Sequence, residues 1–403
     1  MVNKPTLLLF LLSPLLFLGC GKNSDVVAPS PAPQFQSQID IETVWTARVG
    51  EGVGDVFLSL KPAVTERWVY AAALPGQVKK FDRESGKVMW SINLKREITG
   101  GVTAGYGVVA LGTANGELLL LSEETGELLL EKTVSGQVMS SPALTADLVI
   151  VQTTDGRLHA LDRNDGSLVW LFDTSIPILT LRGESSPVVA GQATLAGFAN
   201  GKLVALDTAS GAVGWERAVG ESSGRSDLER IIDLDGRFWV SGKVVYAATY
   251  QGRLVAIDIP SGRVLWQRPL SSYAGVTEFL GKVYLVDEDS VVHAMDAVSG
   301  TDLWQNLELK GRAVSTPTAY DRYLLVGDFN GYLYWLSASD GEFLARVKVG
   351  LNRYQRAPSK AASLRSVTDP ADGIRVQPVV LDDTVYIQGN SGELAVYRVV
   401  NSS

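Results

Sequence analysis

The chain has 403 residues, 46% of them hydrophobic and 20% charged, which is long enough for a large buried core and too apolar for disorder. Its 36 Lys plus Arg stand against 44 Asp plus Glu, a formal charge of −8, so no electrostatic attraction to phosphate is expected and nucleic acid is set aside as a partner. One Cys and two His exclude an internal disulfide and cysteine-rich zinc or iron-sulfur sites, and count against a metal centre built from histidines.

Residues 1–19 read as a signal peptide. Lys4 precedes an apolar run from Leu7 to Leu18, interrupted by Ser13 and Pro14 and well short of the roughly 20 residues that a membrane-spanning helix needs. The run ends in Leu18-Gly19-Cys20, where a small residue directly before the one cysteine resembles the lipobox of bacterial lipoproteins. The resemblance implies cleavage after Gly19, acylation of Cys20 and a lipid anchor. Such an anchor needs more than one acyl chain, since each buried methylene contributes only about 0.8 kcal/mol. Gly21 rather than Asp after the cysteine implies the outer membrane, by the enterobacterial sorting rule. The rest of the segment 20–40 is poor in large apolar residues and carries three prolines, so it reads as a flexible tether. Twenty residues reach about 60 Å fully extended and roughly 25 Å as a coil.

Residues 41–403 carry a repeat. GQVKKFDRESGKVMW from Gly76, GRLHALDRNDGSLVW from Gly156, GKLVALDTASGAVGW from Gly201 and GRLVAIDIPSGRVLW from Gly252 are copies of one phrase. Weaker copies begin at Gly116, Ser290, Gly331 and Gly392, giving intervals of 40, 40, 45, 51, 38, 41 and 61 residues. Aliphatics two apart, as in Leu203-Val204-Ala205-Leu206, give the period of a strand, and Ala209-Ser210-Gly211-Ala212 a tight turn. Two more short strands precede each anchor; Ser141-Pro142, Ser186-Pro187, Thr316-Pro317 and Gln377-Pro378 mark the first of them. Four strands per repeat of this length make a propeller blade, so the fold expected is all-β, an eight-bladed β-propeller of four-stranded blades.

The eighth copy reaches the C-terminus before a fourth strand can follow. Val44-Trp45-Thr46-Ala47-Arg48-Val49-Gly50 resembles the missing piece, as comparison with Trp215-Glu216-Arg217-Ala218-Val219-Gly220 shows. An N-terminal strand completing the last blade closes the ring and leaves no open edge there.

The phrase resembles the AxDxxTGxxxW signature of pyrroloquinoline-quinone propellers. Asp82, Asp162, Asp207, Asp258 and Asp296 are read as turn formers, and Trp90, Trp170, Trp215, Trp266 and Trp304 as packing between blades. His159 and His293 share a repeat position that elsewhere holds Lys79, Val204 or Val255, which argues against catalysis or metal binding there. No nucleophile elbow, zinc-protease, phosphate-loop or CxxC motif is present. Quinone dehydrogenases of this fold commonly use an adjacent cysteine pair, which a single Cys cannot form. The chain is therefore read as a non-enzyme without cofactor, against two alternatives: a quinone-dependent dehydrogenase-like enzyme, and a propeller binding peptidoglycan or a small ligand in its funnel.

Binding is expected in the loops between blades. Arg182 lies 19 residues before Gly201, and Asp233 19 before Gly252, so the two are equivalent positions in the fourth and fifth blades and emerge on one axial face. Ile178-Leu179-Thr180-Leu181-Arg182 is apolar beside a cation; Ile231-Ile232-Asp233-Leu234-Asp235 is apolar beside two carboxylates. The pair fits a protein-binding hot spot. It equally fits leucines packed under the loop with Arg182 paired to Asp233 or Asp235.

The lipobox, the tether, the eight copies, and the strings LTLRGESSP and GDFNGYLYWL together resemble the BamB family of lipoproteins of the outer-membrane β-barrel assembly machinery. That resemblance implies a scaffold facing the periplasm. It also implies that Leu179, Leu181, Arg182, Asp233 and Asp235 bind the periplasmic repeat domains of the central barrel subunit, BamA. Unfolded outer-membrane proteins are a further possible partner. The insert 351–373 departs from the repeat and is locally basic through Arg353, Arg356, Lys360 and Arg365; it is read as a mobile loop or as a contact to an acidic partner or lipid headgroups.

Overall fold

Short apolar alternations cut by glycine and aspartate turns make antiparallel strands throughout. The computed structural model describes residues 29–53, 56–181, 185–220, 231–234, 236–350 and 373–400, and within them 32 strands, numbered β1 to β32 in chain order, form eight four-stranded sheets. In the first blade β2 (Ala63–Val64), β3 (Trp68–Ala72), β4 (Gln77–Asp82) and β5 (Val88–Asn93) are neighbours in that order. The two middle strands are largely buried and β5 is largely exposed. First strands of adjacent blades touch one another, which places them around the central axis and the fourth strands at the rim.

The last blade takes β30 (Val379–Leu381), β31 (Thr384–Gln388) and β32 (Glu393–Val400) from the C-terminus and its rim strand, β1 (Asp40–Arg48), from the N-terminus. Pairing runs from Asp40 opposite Val400 to Arg48 opposite Glu393, with a bulge between Thr43 and Trp45. Eight blades closed by an N-terminal strand is the architecture that the repeat predicts.

One contact recurs between blades. The rim-strand tryptophan of one blade covers the turn glycine of the next: Trp90 over Gly126, Trp170 over Gly211, Trp215 over Gly262, Trp266 over Gly300 and Trp304 over Gly341. Each indole N–H donates to a carbonyl of the turn it covers, as Trp170 does to Thr208 at 2.9 Å. At Gly211 φ is +72° and a Cβ would approach Trp170 to 2.7 Å, so both backbone and space demand glycine. Trp45 sits over Gly86 in the same way and donates to the Arg83 carbonyl at 2.9 Å. The N-terminal strand thus brings the eighth blade its wedge as well as its hydrogen bonds. In the seventh blade the equivalent residue is Ala345, opposite Trp335. The next blade there is split between the chain ends and offers no turn for a tryptophan to cover.

The turn aspartates behave as their spacing predicts. Asp82, Asp207, Asp258 and Asp296 each accept the hydroxyl and amide of the serine three residues on, and Asp162 accepts two amides. The serine hydroxyls are the main cause holding those four carboxyls below their ordinary range.

The structure departs from the sequence reading in the tether. From Ser30 onward the chain is laid against the seventh blade. The Ser30 amide donates to the Lys310 carbonyl at 2.9 Å, Arg312 Nη1 to the Ser30 carbonyl at 2.8 Å, and Arg346 Nη1 to the Pro33 carbonyl at 2.6 Å. Phe35 stacks on Phe343 with centroids 5.1 Å apart, and Ile39 and Ile41 pack on the cluster containing Ala345. A proline-rich strip has few side chains to bury, but its carbonyls are free acceptors, and the propeller's arginines use them.

Deleting Thr43–Gly50 removes both the pairing and the wedge of the last blade, so the whole body is expected to melt at a lower temperature in one transition. Trp45→Ala alone should cost about 3–5 kcal/mol. Thermal melting of both variants checks this; an unchanged midpoint for the deletion contradicts closure by this strand.

Candidate functional site

The crossover from a rim strand to the next blade's first strand is the longest connection in the repeat. The 174–187 crossover joins β13 (Leu168–Asp173) to β14 (Val188–Ala190), and the 219–238 crossover joins β17 (Val213–Ala218) to β18 (Trp239–Ser241). Being the same kind of connection, both emerge on one axial face, at adjacent blades.

Their aliphatic residues have opposite fates. Ile178 is fully exposed, and Leu179 and Leu181 are 43% and 40% exposed. Ile231, Ile232 and Leu234 are buried. Leu234 occupies the notch left by Gly197, where any Cβ would collide with it, and Ile232 packs against Gly220 in the same manner. The second crossover is therefore a packed base and the first a displayed tip. Sequence reasoning treated both loops as apolar rims; the signal that separates them is the pair of glycines, Gly197 and Gly220, that receives only the second.

Asp233 joins the two. Its side chain is fully buried, its Oδ2 accepts the Leu181 amide, and its backbone carbonyl accepts the Tyr250 amide. Its carboxylate thus lies inside, under the tip, where it fixes the backbone that carries Leu181. Arg182 and Asp235, the other charged members of the expected site, lie outside the described residues, as does the insert 351–373 apart from Gly373.

Elsewhere, the polar groups singled out by sequence are internally engaged. His159 Nε2 lies 3.0 Å from Ser135 Oγ, and burial pushes its ring below the usual histidine range. His293 Nε2 lies 2.8 Å from Asp287 Oδ2. Among the described residues no group of three or more His, Cys, Asp or Glu side chains is placed to hold a metal ion.

Comparison with known proteins adds the family. A family profile described as "Outer membrane protein assembly factor BamB" matches residues 74–306 and 280–403. Relatives with that same name are 38% identical in Pseudomonas aeruginosa, over 96% of each chain, and 34% identical in Escherichia coli, over 87% of this chain and 93% of that one. The crystal structure of BamB from Moraxella catarrhalis superposes with a TM-score of 0.77 at 27% identity, covering 89% of this chain and 100% of that one. A quinohemoprotein alcohol dehydrogenase from Comamonas testosteroni gives 0.66 at 13% identity, covering 90% of this chain and 77% of that one, a likeness of fold alone.

The buried bond makes a specific prediction about the tip. Asp233→Ala should raise hydrogen exchange at 178–181 and cost about 1.5–3 kcal/mol, while Asp233→Asn, which keeps an acceptor oxygen, should restore most of the protection. Exchange mass spectrometry reads both; equal exchange in wild type and Asp233→Ala contradicts the splint.

Proposed function

Because the chain belongs to the BamB family of outer membrane protein assembly factors, we propose that it is a non-enzymatic scaffold lipoprotein which binds the periplasmic domains of the central barrel subunit, BamA. Its role lies in outer-membrane protein assembly. In this reading Cys20 carries the acyl chains, the body faces the periplasm, and Leu179, Leu181 and Arg182 touch the partner. Asp233 positions that tip from beneath, and Asp235 stands beside it.

One observation carries the reading: two leucines and an isoleucine are held out in solvent by a loop whose base is buried and bonded. A core-forming loop would turn those side chains inward, as the neighbouring crossover does. Fully burying a leucine contributes about 1.5–3 kcal/mol, so a partner covering the two half-exposed leucines gains on the order of 2 kcal/mol from them. A flanking guanidinium adds register through bidentate pairing with a carboxylate. Holding the partner's domains in one orientation favours delivery of unfolded barrel proteins to the assembly site without any bond being made or broken.

The docked N-terminal strip supports an orientation. Ser30 is bonded to Lys310 and Arg312, in the crossover between the sixth and seventh blades, which is the same kind of connection as the tip. The anchored end of the chain and the tip therefore share an axial face. Cys20 stands ten residues before Ser30, within about 35 Å of that docking point.

Leu179→Ser with Leu181→Ser, or Arg182→Ala alone, should reduce co-purification with the barrel subunit at least tenfold, about 1.4 kcal/mol, without moving the melting temperature. Full recovery of the complex by both variants contradicts the assigned face.

A further inference from the structure

The rim of the propeller is a row of sheet edges, and the molecule shows with its own chain what such an edge accepts. Pro33 to Gln38 runs beside β29 (Phe343–Lys348), the rim strand of the seventh blade. The Gln38 amide donates to the Leu344 carbonyl at 2.7 Å, Arg346 Nη1 holds the Pro33 carbonyl, and Phe35 stacks on Phe343. An extended segment is thus held through its backbone on the outside of a blade.

The rim strand of the third blade, β13, has an edge of the same kind. The Thr174 amide donates inward to the Gly156 carbonyl, and backbone direction alternates along a strand. Phe172 and Trp170 therefore bond β12 (Arg157–Asp162), while the amides and carbonyls of Leu171 and Asp173 turn away from the sheet. Among the described residues, none from outside the sheet bonds those outward groups.

The side chains of this edge are unusual in the ring. Trp170 and Phe172 face the fourth blade and are buried, but Leu168, Val169 and Leu171 are 54%, 47% and 48% exposed. The position of Leu171, directly after the wedge, is polar in the other seven blades, among them Ser91, Glu131, Glu216 and Arg346. The one charged residue of the strand, Asp173, lies 3.4 Å from Arg157 Nε. On the neighbouring rim, β9 (Leu128–Thr133) adds the exposed Leu128 and Leu129. Edges are ordinarily guarded by charge, above all by lysine, and β13 carries no cation; aliphatics exposed together on adjacent rims mark a binding surface.

We infer that the outer edge of β13 takes up an extended amphipathic strand from an unfolded β-barrel protein, pairing with the outward backbone groups of Leu171 and Asp173. That the occupant is such a protein rests on the assembly role proposed above. One face of the incoming strand lies beside Leu171 and the leucines of the second blade, which selects apolar side chains there. Its other face lies beside the turn that Trp170 covers, where Asp207, Thr208 and Ser210 select polar ones. Alternation of apolar and polar residues is the pattern of a transmembrane barrel strand. Because β13 runs directly into the 174–187 crossover, a strand held there lies next to the displayed tip.

Fluorescence anisotropy tests this with a labelled decapeptide alternating Val and Thr between terminal lysines, titrated with the full chain. A peptide of the same composition with its valines in one block should bind at least fivefold more weakly. Hydrogen exchange should show the alternating peptide protecting 168–173. Leu171→Lys should weaken it at least fivefold and Val169→Lys at least threefold, both without lowering the melting temperature; either variant carries the test if the other does not fold. Leu171→Lys should still co-purify with the barrel subunit, and Leu179→Ser with Leu181→Ser should still bind the peptide, so failure of one site is told apart from failure of the other. No binding at submillimolar chain, equal binding of the blocked peptide, protection on another rim strand, or unchanged binding in the folded variants would each overturn the site. So would a wild-type dimer that Leu171→Lys dissociates and the peptide does not, since a second copy then covers the edge.

Discussion

Ring closure is the constraint on which the rest of the structure depends. From the first blade through to the seventh, each is joined to the next by a tryptophan lying on a turn glycine, or by Leu130 on Gly166, and such a series has two loose ends unless something joins them. The join is the pairing of β1 with β32, and Trp45 extends the wedge series across it to Gly86. The seam also accounts for Ala345, the one rim position facing a blade with no turn to cover. Closure fixes the angle between every pair of neighbouring blades, and with it the positions at which crossovers leave the face.

That rigidity separates display from support. Two adjacent crossovers of the same kind meet on one face; one buries its aliphatics in notches left by glycines and the other holds its aliphatics in water. Asp233 spans them, so the displayed backbone is tied to the neighbouring blade before any partner arrives. A pre-ordered tip loses less conformational entropy on binding than a free loop, so under the proposed function a modest apolar patch would suffice for a specific complex.

Much of this was legible because the repeat is strong. Blade number, the donated strand, the turn role of Asp82 and its equivalents, and the interblade role of the tryptophans all follow from aligned copies. The docking of Ser30–Gln38 was not, because its bonds run from distant arginines to backbone carbonyls and leave no pattern in the strip itself. Nor did the local sequences of the two crossovers tell their fates apart: Ile-Leu-Thr-Leu and Ile-Ile-Asp-Leu are alike in hydrophobicity, and the difference lies in Gly197, at the end of β15 (Ala193–Gly197), and in Gly220, at the start of the second crossover. Asp233 was expected among the partner-binding residues from its repeat position and the family resemblance; it is buried beneath the tip, bonded to the Leu181 amide.

The central claim is that one face of a closed ring presents a pre-ordered tip to another polypeptide. Hydrogen exchange of the chain with and without the periplasmic domains of the barrel subunit tests it most directly. The account predicts new protection at 178–181 together with the supporting 231–234 segment. Protection confined to the rim strands, or to the Asp82–Gly86 type of turn on the opposite face, would contradict it.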